Sequence, residues 1–235
     1  GVRILLTYAQ ELKENGHDVF IYVECRNNLR RLIYNLVVSK FFKVKWFKNF
    51  KLRVIKVPSY NLYDFKMFDC IVACDFMSAK KMNELDIDDS KKFHLVMHDE
   101  RLYHGDKNIV TEVYKYPNKK IVISKWLQDI LKNDFNQYSL HLLTPVDYKL
   151  FHKTEYKKKD AVNRILMLYH TFNWKGVKEG MEAVAYVRGK YKNVKLILFG
   201  VRADRPDIDC DEYYYNIPQE KLAELYSSCD IFLCP

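Results

Sequence analysis

The most regular pattern of apolar and polar positions lies in the last third of the chain. An apolar run, Ile165 to Tyr169, gives way to a stretch of loop character and then to the pair Lys175-Gly176. Val177, Met181, Val184 and Val187 follow at steps of three to four, the period of one helix face. The pattern stops before Asn193, and a second buried-type strand runs from Val194 to Gly200. This spacing predicts a strand–helix–strand unit of the kind that builds a parallel sheet. Ligands of such sheets sit beyond the carboxyl ends of the strands, where helix N-termini offer N–H groups to anions. Lys175 stands at that point, so a phosphate is the ligand the pattern favours. A Lys-Gly pair opening a helix is also a common structural feature.

Earlier segments repeat the alternation less cleanly. Ile4, Leu5, Tyr8, Ala9 and Leu12 form one stripe, which predicts a helix over Gly1 to Asn15 with Gly16 as its terminator. A strand is expected at Val19–Val23. Leu29, Ile33, Leu36 and Val37 can share a helical face, with Arg26, Arg30 and Arg31 off it, and the aromatic, cationic stretch Lys40 to Lys48 leads into a strand at Leu52–Val57. Further strands are expected at Cys70–Cys74 and Phe93–Met97. Asp75 and the run His98-Asp99-Glu100 follow them directly, at strand ends of the kind that carry ligands. His98 beside Asp99 can take or hold a proton, or can serve as a structural strand-end residue. Lys120–Ile123 then delivers Ser124 as a helix cap. The charged run from His152 to Asp160 reads as a linker. It divides the chain into a domain over 1–150, a connection over 151–160 and a second domain over 161–235.

Composition narrows the picture. Of 235 residues, 49% are hydrophobic and 29% charged, which suits a globular protein with a core to bury. No apolar run approaches the roughly 20 residues of a membrane span, and no signal-peptide pattern opens the chain, so a cytoplasmic location is expected. The six cysteines show no metal-ligand spacing and are expected to be buried thiols; no metal site and no cofactor are indicated. A net charge of +9 favours an anionic partner. No nucleic-acid-binding motif is present, whereas the basic, aromatic segment within 26–56 can lie at an anionic membrane surface, at the inner face of the cell membrane.

The register from Ile165 through Gly200, Tyr215 to Tyr226 and Cys229 to Pro235 resembles the C-terminal half of family-4 glycosyltransferases, retaining, metal-independent enzymes of the two-lobed, Rossmann-like GT-B architecture. The opening Gly1-Val2-Arg3-Ile4-Leu5 with Gly16-His17-Asp18-Val19 resembles their first loop and helix, and Thr144-Pro145-Val146-Asp147 to Phe151 their interdomain element. The resemblance implies that Lys175 and Gly176 contact the diphosphate of a nucleotide-sugar donor, with His170 where an arginine is common. It implies that Gly200, Asn216 and Ile217 border the nucleotide, that Gly1 and Arg3 lie near donor or acceptor, and that His98 with Asp99 borders the reacting sugar. A strand ahead of Gly1 and a pair of glutamates after Pro235 are expected from the same source, so the chain is expected to be trimmed at both ends and inactive alone.

The expected fold class is therefore α/β, with two parallel-sheet domains. The expected activity is transfer of a sugar from a nucleotide-diphosphate donor to a glycan or lipid-linked acceptor, as in cell-surface polysaccharide biosynthesis. A nucleotide-sugar epimerase and a non-catalytic, membrane-surface-binding protein are the alternatives.

Overall fold

In the computed structural model every strand pairing among the described residues is parallel. The structure describes residues 2–24, 50–57, 59–60, 64–102, 106–154, 160–201 and 208–235. The expectations for Gly1, for the helix around residues 29–37 and for the stretch 40–48 fall outside them. The described residues form two compact units that meet in sequence between Pro145 and Val146, both of mixed α/β character.

The first unit opens with α1 (Val2–Glu14), closed by Gly16 at φ 91°, a backbone conformation open to glycine. Strands β1 (Phe20–Glu24) and β2 (Arg53–Val57) pair with each other. A four-stranded sheet follows in sequence order, β3 (Ile71–Ala73), β4 (Lys92–Val96), β5 (Lys119–Val122) and β6 (Ser139–His141). Helices α2 (Phe76–Glu84), α3 (Lys107–Tyr114) and α4 (Lys125–Phe135) supply the crossovers. Asp75, Asp106 and Ser124 cap them, each accepting from a backbone N–H of the first turn. Val96, Val122, Val110, Tyr114, Leu127 and Leu131 form the core between β4–β5 and α3–α4. Each fully buried aliphatic side chain there contributes about 1.5–3 kcal/mol.

One row across this sheet departs from the apolar expectation. His94, Lys120 and Ser139 face one another in register on β4, β5 and β6, and all three are buried. Lys120 remains tolerable there because its Nζ donates to the Tyr116 and Asn118 carbonyls and to Asn118 Oδ1, at 2.7, 3.0 and 2.8 Å. Burial still lowers its pKa to about 8 and that of His94 to about 3.

The second unit is a four-stranded sheet in the order β10-β7-β8-β9, built from β7 (Asn163–Leu168), β8 (Val194–Gly200), β9 (Glu212–Tyr215) and β10 (Ile231–Leu233). Helix α5 (Val177–Lys190) packs on one face with Ile165, Met167, Val184, Leu196 and Leu198, while α6 (Gln219–Ser228) contributes Leu225 against Leu166 and Ile197 on the other. The helical stripe expected at Val177, Met181, Val184 and Val187 faces this core. Gly180 lets α5 approach β7, since a Cβ there would run into the Met167 side chain.

The cysteine expectation needs correcting. Of the described thiols only Cys210 is buried; Cys70 and Cys234 are exposed and Cys74 and Cys229 half-buried. Cys70 precedes β3 and Cys234 follows β10, so both lie where strand gives way to loop.

Candidate functional site

The second unit gathers its candidate residues where strand order reverses. The chain passes from β7 through β8 to β9 on one side, then returns to place β10 on the other. The carboxyl end of β7, beside that of β10, is therefore a topological switch point, where open α/β sheets hold ligands. The chain leaves β7 through Tyr169, whose N–H still donates to Phe199 O, and reaches a 3₁₀ turn at Asn173–Lys175. Gly176 follows at φ 67°, a left-handed conformation, and opens α5 without a side-chain cap. A Cβ at Gly176 would lie 2.9 Å from Pro235 Cβ, so the end of β10 closes over this turn. The first N–H groups of α5 thus lack a side-chain partner beside Lys175, an exposed ammonium with no ion pair among the described residues.

His170 sits at the other end of this loop. Its Nδ1 accepts from the Phe172 N–H at 3.1 Å, which fixes the neutral ring with the proton on Nε2. The His170 and Phe172 rings lie 4.5 Å apart, and Phe172 stacks on Trp174 at 4.4 Å. Phe172 and Trp174 are 40% and 42% exposed. Gly200 ends β8 with no room for a side chain, since a Cβ would come 2.8 Å from Tyr169 O. Its carbonyl accepts from the Asn216 N–H at 2.7 Å, and Asn216 turns the chain at φ 43°. Ile217 points into the core against Leu166, Ile197 and Leu225, so the backbone is what this residue offers a ligand. The structure thus brings His170, Lys175, Gly176, Gly200 and Asn216 to the carboxyl ends of three neighbouring strands.

In the first unit, the carboxyl ends of β3 and β4 carry the candidate acid–base residues. Asp99 is buried and fully engaged: Arg101 Nε donates to Oδ1 at 2.9 Å and Nη2 to Oδ2 at 2.7 Å, while Nη2 also meets Asp134 at 2.9 Å. His98 is half-buried, and its carbonyl accepts from Tyr114 Oη at 3.3 Å. Glu100, which the sequence reading passed over as a role-bearing residue, is 5% exposed. Its N–H donates to Tyr114 Oη at 3.1 Å. Burial and the Asp75 carboxylate push its carboxyl up to about 7, against the Phe76 N–H that donates to it. Asp75 itself caps α2, accepting from Ser78 N at 2.8 Å. Two carboxylates therefore share one helix N-terminus, and one of them exchanges a proton near neutral pH. The only signal in the sequence was a pair of acidic strand ends, Asp75 and Glu100, on strands whose adjacency the sequence did not give. Arg3 lies in the first turn of α1, its carbonyl accepting from Thr7 Oγ1.

No protein-family model matches the chain, and no curated protein matches its sequence. Among solved structures it is similar to the DNA-modifying enzyme β-glucosyltransferase, determined with and without its substrate uridine diphosphoglucose. The likeness is 12% in sequence identity, spans 91% of this chain and 69% of that one, and has a TM-score of 0.40. Among the described residues no helix is long and apolar enough to cross a membrane.

Proposed function

We propose that this chain belongs to a retaining, metal-independent glycosyltransferase that takes a sugar from a nucleotide-diphosphate donor, with the second unit as the donor-binding half. The observation that carries this reading is the turn Lys175-Gly176 at the β7/β10 switch point, where an exposed ammonium and the uncapped N-terminus of α5 coincide. Departure of a nucleoside diphosphate builds negative charge on its phosphates. A helix N-terminus and a neighbouring cation stabilise that charge without having to reorganise during the reaction. His170, whose Nδ1 accepts from the Phe172 N–H, stands on the same loop where the resemblance puts a donor-binding side chain. The backbone at Gly200 and Asn216 borders the nucleotide. Gly1 and Arg3 belong to the loop and helix start near donor or acceptor.

In the first unit the proposal keeps His98 beside the reacting sugar, with Asp99 held in place by Arg101, and adds Glu100 as the group that exchanges a proton near neutral pH. A glycan or lipid-linked acceptor, a place in cell-surface polysaccharide synthesis and a cytoplasmic, membrane-peripheral location through residues 26–56 complete the reading. They rest on the resemblance and on the chain's charge.

Calorimetric titration of uridine, guanosine and adenosine diphosphates tests the donor half. One of them is expected to bind, and Lys175→Ala is expected to weaken it about tenfold, the equivalent of one charge-assisted phosphate contact at 1.4 kcal/mol. Absence of binding by all three, or binding indifferent to Lys175→Ala, would refute the reading.

A further inference from the structure

The first unit carries a recess at the amino ends of β1 and β2, whereas its candidate acid–base residues stand at the carboxyl ends of β3 and β4. Its volume is about 370 Å³, and its walls are the end of α1, the turn over 16–19, and Phe20 and Arg53 at the two strand starts. Ligand sites ordinarily run from about 300 to 1,000 Å³, so there is room for a small ionic group and little more. Hydrogen bonds hold the frame. Lys13 Nζ donates to the Lys51 carbonyl at 2.5 Å, and the Lys51 N–H donates to Gln10 Oε1 at 3.0 Å, which ties α1 to the lead into β2. A Cβ at Gly16 would meet nothing within 4 Å, so the recess is open on that side.

The charge around this recess is one-sided. Lys13 and Arg53 reach it from two different elements, and His17 adds an imidazole. Neither Lys13 nor Arg53 forms an ion pair among the described residues. Asp18 is the one carboxylate in the lining, and it pairs with neither. Lys13 stands in the last turn of α1, where a cation suits the helix dipole. Arg53 is in no helix. Its guanidinium lies 5.4 Å over the ring of Phe20, its register partner on β1. Stacking uses the face of a guanidinium and leaves its in-plane N–H groups for a ligand. Lys13 likewise has two N–H groups beyond the one Lys51 accepts. Both cations are thus set in place in advance, which lowers the ordering cost of binding.

We propose that this recess binds the phosphate group of a phosphate monoester, with Arg53 as its forked contact and Lys13 as the second cation. Two cations suit a doubly charged group, and a phosphate monoester carries about −1.5 to −2 at pH 7. A carboxylate ligand, with one charge, would use only one of them. Asp18 opposes any anion in the same recess, so its removal has a signed effect. The site is built from α1, β1 and β2 alone and does not depend on the donor-binding role proposed for Lys175.

Backbone amide NMR of the full chain carrying Lys175→Ala reads the test, because that variant blunts the phosphate contact proposed for the second unit. Glycerol 3-phosphate, added at constant ionic strength, is expected to shift the amides of Gly16, His17, Phe20 and Arg53 together. Acetate is expected to bind at least about tenfold more weakly. Arg53→Gln is expected to weaken glycerol 3-phosphate about tenfold and Lys13→Gln about threefold, while Asp18→Asn tightens it. Unmoved amides elsewhere show that each variant folds. Phosphatidylcholine vesicles with and without phosphatidic acid identify the source. Co-sedimentation that needs phosphatidic acid and is lost with Arg53→Gln marks a lipid headgroup, and amide shifts without vesicle binding mark a soluble phosphate. No shift with either source, shifts matched by acetate, or an affinity indifferent to Arg53→Gln would overturn the proposal. Diphosphate binding by the second unit is read at residues 175–180 of the unmodified chain, so either result stands without the other.

Discussion

Glu100 offers the sharpest quantitative test of the first unit's geometry. Its carboxyl titrates at about 7 in the folded chain, where burial and Asp75 raise it from an ordinary value of 4.5. At about 1.4 kcal/mol per pKa unit, this amounts to roughly 3 kcal/mol of preference for the protonated form. A raised folded pKa contributes stability that is whole below the unfolded value and is lost as pH climbs through the folded one. Stability of the first unit should therefore fall by up to about 3 kcal/mol between about pH 4.5 and about pH 8 on this account alone. His94 acts in the opposite sense. Its pKa drops from 6.5 to about 3 on burial, so its contribution is present above 6.5 and is lost as pH falls toward 3. The two slopes partly cancel between 4.5 and 6.5, and the wild-type curve alone would mislead. Glu100→Gln isolates the carboxyl, because the amide has nearly the same shape and does not titrate. Urea denaturation followed by hydrogen exchange in residues 92–122 should show the variant gaining on the wild type as pH rises across that window. A difference that stays constant within about 0.5 kcal/mol from pH 4.5 to 8 would refute the placement of Glu100 beside Asp75 in a dry site.

Two further outcomes follow from the same geometry. Asp75→Asn removes the neighbouring charge but keeps an acceptor for the Ser78 N–H, so the Glu100 carboxyl should titrate lower, read by carbon NMR of the side chain, at a stability cost near the low end of about 0.5–2 kcal/mol for cap changes. An unchanged midpoint would show that burial alone raises it. Leu198→Ala, at a fully buried position between β8 and α5, should cost about 2–5 kcal/mol in urea melts of the second unit, and a loss under about 1 kcal/mol would contradict the packing described.

Where the sequence was read correctly, one physical rule dominated. The helix over 177–190 and the strand over 194–200 were legible because their apolar residues serve a single packed face, and periodicity reports faces directly. Ser124 was legible as a cap because capping is local chemistry. The buried Lys92 and Lys120 were not legible. Composition treats a lysine as a surface residue, and only the fold shows that their ammonium groups reach the Asn83, Tyr116 and Asn118 carbonyls from inside the sheet. The short strands β6 and β9 escaped for a related reason, with Ser139-Leu140-His141 and Glu212 to Tyr215 carrying too few apolar positions to show a period.

The candidate site divides along the same line. Lys175 and Gly176 could be placed because strand, turn and helix are contiguous in sequence, so local pattern suffices to put a cation at a helix start. The Asp75–Glu100 pair could not, because its partners come from different strand ends and meet only after β3 and β4 pair. Asp99 shows the converse. Its position after a strand and beside His98 suggested a part in proton transfer, yet Arg101 pairs with it, and with Asp134 as well, in an ion-paired cluster that sequence adjacency did not reveal. A charged residue at a strand end can serve chemistry or architecture, and what separates the two is its set of partners. Asp99, held by a guanidinium on both oxygens, has its charge neutralised where it stands. Glu100, facing another carboxylate in a buried corner, has been left with a proton it can exchange.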